Sequence, residues 1–191
     1  MRSPQQTKRG HMPSILSHIA VPIAGKLALG SKAIAPSLLI LGLVVSILPD
    51  ADVALHRFGI PYASEFGHRG ASHSLAFALM VAAIFSVVWS RIYSQSAVRP
   101  FIYLLVCAAS HPLLDTCTNA GHGAALFWPL STERYFSWFR PIEASPLSLK
   151  RFFGEAGLRV LYSELIWVWL PCLLAAVLMR VSALTRSRWS N

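Results

Sequence analysis

The chain has 191 residues, 54% of them hydrophobic and only 13% charged, with a formal net charge of +9; its mean hydropathy is +0.52. Soluble domains carry about 25% charged residues, so this composition excludes a disordered chain, a disulfide-built mini-protein and a nucleic-acid-binding tail. It points instead to one small, all-α domain integral to a membrane, since 21.0 kDa leaves no room for two comfortable domains.

In chain order, residues 1–13 read as a polar N-terminal extension, with Met12 as a second possible start of translation. Arg2, Lys8 and Arg9 before an apolar stretch imitate a signal peptide, but His18 and Lys26 inside that stretch argue against one. Five apolar runs follow: Ser14 to Leu29, Ile34 to Leu48, Ser74 to Ser90, Phe101 to Leu114 and Leu165 to Met179. Flanking residues bring most of them to the roughly 20 needed to cross a bilayer. The expected architecture is a helical bundle of four to five spanning helices. Its rival, a soluble protein with fully buried helices, fits the low charge content poorly. Residues 14–182 form the expected single domain, and 183–191 a basic C-terminal tail. Between the fourth and fifth runs, Cys117 to Leu158 mixes Phe127, Trp128, Tyr135, Phe136, Trp138 and Phe139 with Arg134 and Arg140. Such a mixture suits the bilayer interface, where the segment would lie as a lid. Lys and Arg fall mostly between the apolar runs, and no basic stripe runs along a polar helix, so no nucleic-acid partner is expected. Cys107, Cys117 and Cys172 offer neither a CxxC pair nor a disulfide framework.

Polar residues gather at particular ends of these runs. His18 lies near the start of the first. "LPDAD" puts Asp50 and Asp52 at the end of the second, and "GHRGASHS" puts His68 and His73 at the start of the third. "SHPLLD" puts His111 and Asp115 at the end of the fourth, and "YSELIW" puts Glu164 at the start of the fifth. A chain threaded up, down, up, down, up brings all eight to one face of the membrane. The opposite connections, around Gly30 to Lys32 and Arg91 to Arg99, contain no histidine and no acid. Ionisable groups at membrane depth are costly and mark function by default. Carboxylates crowded at one helix end repel one another, and a cation relieves the repulsion. Imidazole with carboxylate is the donor mix for zinc, manganese or iron.

Local spacing agrees. His111 and Asp115, four apart, project from one helix face, while Ser72 is placed to cap a helix beginning at His73. Blander roles exist for single members: His18 as a satisfied core histidine, Asp50 as a helix terminator, Glu164 as a first-turn charge, Arg69 as a loop charge. His122 is a lesser candidate, and His11 and His56 belong to tail and loop. Together the eight read as a centre for two or more divalent ions, Asp50, His68, His73, His111 and Asp115 forming its strongest subset.

"LPDAD", "HRGASHS", "SHPLLD" and "FWPLS", in this order, resemble the bacterial inner-membrane metal-dependent hydrolases labelled LexA-regulated or LexA-binding. The resemblance covers roughly Met12 to Trp169; the extension before Met12 departs from the pattern. That family is similar in its metal-site pattern to zinc-dependent phospholipases C. The resemblance therefore implies an α-helical fold in the bacterial inner membrane, several metal ions with zinc foremost, and phosphoester chemistry. It carries over His18, Asp50, His68, His73, His111 and Asp115 as ligands. The expected function is a multi-pass membrane hydrolase acting on a lipid or lipid-linked substrate through metal-activated water. Asp50 or Asp115 would bridge ions, and Arg69 would hold a phosphate or the developing charge. The alternatives are a non-catalytic membrane protein with a structural or transport-related metal, and an intramembrane protease, for which no HExxH occurs. Ten basic residues on the site face against seven on the other favour a cytoplasmic site.

Overall fold

A computed structural model describes residues 11–12, 14–146 and 152–189, to which all structural statements refer. Their architecture is an all-α membrane bundle. Helix α1, Ile15–Leu29, starts at Ser14, whose hydroxyl accepts from the Leu16 N–H at 3.2 Å, and stops at Gly30, whose φ of 77° breaks the helical path. Helix α2, Pro36–Ile47, opens with proline in the position where no N–H is missed and tightens into a 3₁₀ helix, Leu48–Phe58. Helix α3, Leu75–Tyr93, is capped by Ser74, which accepts from Phe77 N. Ser72 is therefore not the cap expected of it, because His73 belongs to a separate 3₁₀ turn, Ala71–His73, ahead of the helix. Helix α4 spans Val98–Thr116.

The fifth run begins earlier than its apolar residues suggest. Helix α5, Glu155–Glu164, passes through a π-helical turn, Leu165–Trp169, into α6, Leu170–Trp189. The end of the aromatic segment and residues 183–189 of the expected tail are thus helical. The tip of the N-terminal extension is also engaged: His11–Met12 pairs antiparallel with Ser145–Pro146. Residues 117–144 are turns and irregular backbone tied by single bridges, Thr118 with Ile142 and Ala124 with Tyr135.

Among the described residues, Pro36–Leu55, Leu75–Tyr93 and Glu155–Arg186 are long and apolar enough to cross a membrane, and Ile15–Leu29 is a shorter apolar helix. The pattern is inverted relative to a soluble bundle. Ile40, Leu79, Ile84, Leu174 and Val177 face outward, as lipid contact requires, whereas the interior holds small and polar side chains. Helix α4 lies centrally against α1, α2 and α3, and α1 packs on α6. Tyr103 of α4 donates its hydroxyl to the Pro22 carbonyl of α1 at 3.0 Å. Gly42 of α2 makes that reach possible, because a Cβ there would sit 2.7 Å from the tyrosine oxygen.

Candidate metal centre

The helix ends deliver the predicted residues to one place. His18 comes from α1, Asp50 and Asp52 from the 3₁₀ extension of α2, His68 and Arg69 from the loop before α3, His73 from its 3₁₀ turn, and His111 and Asp115 from α4. All are buried except Asp50, whose side chain is 14% exposed and is the most accessible of the cluster.

At the heart of the cluster, His73 Nε2 lies 3.2 Å from Asp115 Oδ2, 3.6 Å from Asp50 Oδ1 and 3.1 Å from His111 Nε2. His111 Nε2 is 3.5 Å from Asp50 Oδ1, and its ring stacks on that of His18 with centroids 3.7 Å apart. His18 Nε2 is 3.8 Å from Asp115 Oδ1. Three sets of donors lie close enough to hold an ion each: His18, Asp50 and His111; Asp50, His68 and His73; His73, His111 and Asp115. The outward ring nitrogens of His68, His73 and His111 are already occupied, whereas neither ring nitrogen of His18 has a hydrogen-bond partner. His68 Nδ1 meets Asp52 Oδ1 at 2.8 Å, His73 Nδ1 meets Asp52 Oδ2 at 3.1 Å and the Ser72 hydroxyl at 3.0 Å, and His111 Nδ1 donates to the Ser46 carbonyl at 2.7 Å. This arrangement fixes these three imidazoles so that Nε2 points inward.

The inward atoms, by contrast, are starved. His18 Nε2, His68 Nε2, Asp50 Oδ1 and both Asp115 oxygens are buried with no hydrogen-bond partner. Unpaired buried polar atoms are rare and expensive, and here they converge on shared space. Burial alone would lower the His73 imidazole, but the carboxylates of Asp115, Asp50 and Asp52 outweigh it and hold His73 well above its ordinary value. Those carboxylates call for positive charge in their midst, from a proton or from a metal cation. The donor set fits a divalent ion with nitrogen and oxygen ligands.

Three expected members sit differently. Asp52 falls in none of the ion-sized groups; its two oxygens brace His68 and His73 from behind. Glu164 lies away from the cluster, its carboxylate accepting from the Ser14 N–H at 2.8 Å and the Ser14 hydroxyl at 2.6 Å, so it fastens α5 to the start of α1. The Arg69 guanidinium lies wholly inside the protein. Its Nε is 3.4 Å from Asp115 Oδ2, and its Nη1 donates to Thr118 Oγ1 at 3.1 Å and the Ala120 carbonyl at 3.3 Å. His122 stands beside Tyr62, with ring centroids 6.2 Å apart.

Several supports were not legible from the sequence. The Ser46 carbonyl is backbone and carries no sequence signal. Arg134, read as an interfacial cation, instead donates to the His68 carbonyl at 2.8 Å and the Ser64 carbonyl at 2.9 Å, clamping the ligand loop. The Tyr62 ring packs 4.9 Å from that of His68, and burial together with the Asp52 charge pushes its hydroxyl up to about 12, keeping it neutral. The loop itself is wound too tightly for side chains at two points. A Cβ on Gly70 would sit 2.0 Å from the Glu65 carbonyl oxygen. Gly70→Ala should therefore displace His68 and His73 and lower both the melting temperature and metal retention, read together by thermal unfolding and elemental analysis. An unchanged pair would show that the loop relaxes freely.

The family model described as YdjM inner membrane protein matches residues 12–188. The chain is also 42% identical over 163 residues to the inner membrane protein YbcI of Escherichia coli (strain K12), covering 85% of this chain and 94% of that one. No solved structure matches the chain.

Proposed function

Since the chain belongs to the YdjM inner membrane protein family, its His/Asp cluster operates at a bacterial inner membrane, and we propose that it is the centre of a metal-dependent hydrolase. The substrate class we assign is a phosphoester or ester of a lipid or lipid-linked molecule. One observation carries this reading: five inward-pointing ligand atoms of four candidates are buried without a hydrogen-bond partner while the outward nitrogens of three imidazoles are all secured. A metal ion bound there supplies Lewis-acid polarisation of the scissile group and activation of a water. His18, Asp50, His68, His73, His111 and Asp115 would hold two or more ions, zinc being the foremost choice with manganese or iron as alternatives.

The chain's own groups have distinct duties in this scheme. Asp52 and the Ser46 carbonyl hold the imidazoles in orientation. Asp50, the most exposed member, would face the substrate, and Asp115 would anchor the buried side. Arg69 balances Asp115 and leaves Nη2 unpartnered, a donor available to an anionic oxygen. Exposed apolar side chains around this end, among them Phe66, Leu130 and Trp138, would seat it at the headgroup level, where a lipid ester lies. Because the surrounding carboxylates raise the proton affinity of His73, protons compete with an ion for this site, and acidification works against loading.

The test is metal content of detergent-purified protein by elemental mass spectrometry, beside an Asp50→Asn/His111→Ala double variant, followed by a panel of phosphoesters and lipid esters. Stoichiometric metal in the parent, its loss in the double variant, and turnover that vanishes in His73→Ala are the expected results. No stoichiometric metal after reconstitution with zinc and manganese would overturn the proposal. The deep burial of His18, His73, His111 and Asp115 favours one rival, a purely structural ion, for which metal would be present and turnover absent throughout the panel.

A further inference from the structure

The end of the bundle away from the His/Asp cluster has the opposite electrostatic character. All eight acidic residues of the chain belong to elements on the cluster side, while the far connections carry Lys26, Lys32, Arg91 and Arg99, with Arg180 nearby on α6. Lys26 donates to the Ile34 carbonyl. The Lys32 and Arg99 side chains are exposed and make no ion pair or hydrogen bond among the described residues.

Two cavities meet beneath these cations. One, of about 500 Å³, lies where α2, α3 and α4 end or begin and is lined by Lys32, Trp89, Gln95, Ser96 and Arg99. The other, of about 610 Å³, descends between α1, α4 and α6 along Ala24, Ala28, Val106, Cys172, Ala176 and Met179. Arg99 and Ala33 line both. The pair thus forms a polar, cationic mouth over an apolar slot of small side chains at bilayer depth. Slots of this size accept small-molecule ligands, and the only apolar material abundant at that depth is the acyl chain.

We propose that this continuous slot binds one anionic phospholipid of the leaflet remote from the His/Asp cluster, its phosphate held by Arg99 and Lys32 and one acyl chain lying between α1, α4 and α6. The charge selects the headgroup. Among the described residues both cations lack any acidic partner, so an anion gains their full field, whereas a zwitterionic headgroup brings its own ammonium into the same repulsive mouth. Arg adds a planar, forked donor suited to phosphate oxygens. The apolar slot selects a chain and not a soluble anion. Nothing in this assignment depends on metal or on hydrolysis.

The experiment is native mass spectrometry of the full chain in mild detergent, titrated with phosphatidylglycerol or phosphatidylethanolamine. A one-to-one adduct is expected, with phosphatidylglycerol retained about tenfold more strongly. Arg99→Gln/Lys32→Gln should bring phosphatidylglycerol down to the phosphatidylethanolamine level. Ala28→Phe, filling the slot, should weaken both lipids. His73→Ala should leave lipid retention unchanged, which separates this site from the proposed metal centre. Equal retention of the two lipids by the parent, or undiminished phosphatidylglycerol binding in the charge variant, would overturn the proposal. So would a protein dimer formed in place of the lipid adduct and abolished by Ala28→Phe, since it would assign the slot to a second copy of the chain. If Ala28→Phe does not fold, the exposed charge variant decides alone.

Discussion

Arg69→Ala should cost about 3–5 kcal/mol of folding stability when chelator is present, the range typical of breaking a buried ion pair by removing one partner. The Arg69 guanidinium is fully buried, sits 3.4 Å from the equally buried Asp115, and satisfies Thr118 and the Ala120 carbonyl. Its removal leaves the deeply buried Asp115 carboxylate with only the His73 imidazole, 3.2 Å away, to offset its charge. The residue also occupies a left-handed backbone conformation, φ 63°, which a non-glycine side chain adopts only where surrounding contacts impose it. Arg69→Lys should recover part of the loss and not all, because a point charge cannot serve Asp115, Thr118 and Ala120 from one plane. Adding metal should shrink the defect, since an ion beside Asp115 substitutes for the missing guanidinium. Thermal unfolding in micelles, with chelator and with zinc, reads all three. A loss under about 1 kcal/mol in chelator would show that Asp115 does not depend on Arg69.

The second large effect concerns a residue that touches no ion-sized space. Asp52→Ala should lower metal affinity by about 10–100-fold, the usual consequence of losing an outer partner of a ligating histidine, while saturating metal restores the full stoichiometry. Asp52 is unusual in serving two imidazoles at once, His68 through Oδ1 and His73 through Oδ2, with the Ser72 hydroxyl donating to the same Oδ2 at 2.5 Å. Its loss frees both rings to rotate. Competition titration against a chromogenic chelator gives the affinity, and elemental analysis at saturation gives the count. A permanent drop in the count would instead make Asp52 a direct ligand.

Much of this molecule is written plainly in its sequence. The all-α membrane bundle follows from long charge-free runs, and the convergence of His18, His68, His73, His111, Asp50 and Asp115 follows from their alternation between run starts and run ends. Both inferences rest on periodicity and threading, which are properties of local sequence. The roles of Asp52 and Glu164 were beyond that reach. Spacing brings each near the right end of the bundle, but whether a carboxylate faces an ion space, the back of an imidazole or a serine depends on a rotation about its helix that only packing decides. Glu164 turns toward Ser14, and its helix widens immediately afterwards, at Leu165–Trp169, a departure from α geometry with no reliable mark in the residues. Arg134 was hidden for another reason. An arginine among aromatics looks the same whether it faces lipid headgroups or a carbonyl 66 positions away in the chain.

The three ion-sized donor groups also have an evolutionary consequence. Asp50 belongs to the first and second, His73 to the second and third, and His111 to the third and first, so the groups close into a ring. His18, His68 and Asp115 each serve one group. A lineage that lost one of the three linking residues would damage two groups in a single step, and no intermediate with one group missing and its neighbours intact is reachable through those positions. Drift can remove a single group only at His18, His68 or Asp115; a loss at Asp50, His73 or His111 leaves just one group of the three complete.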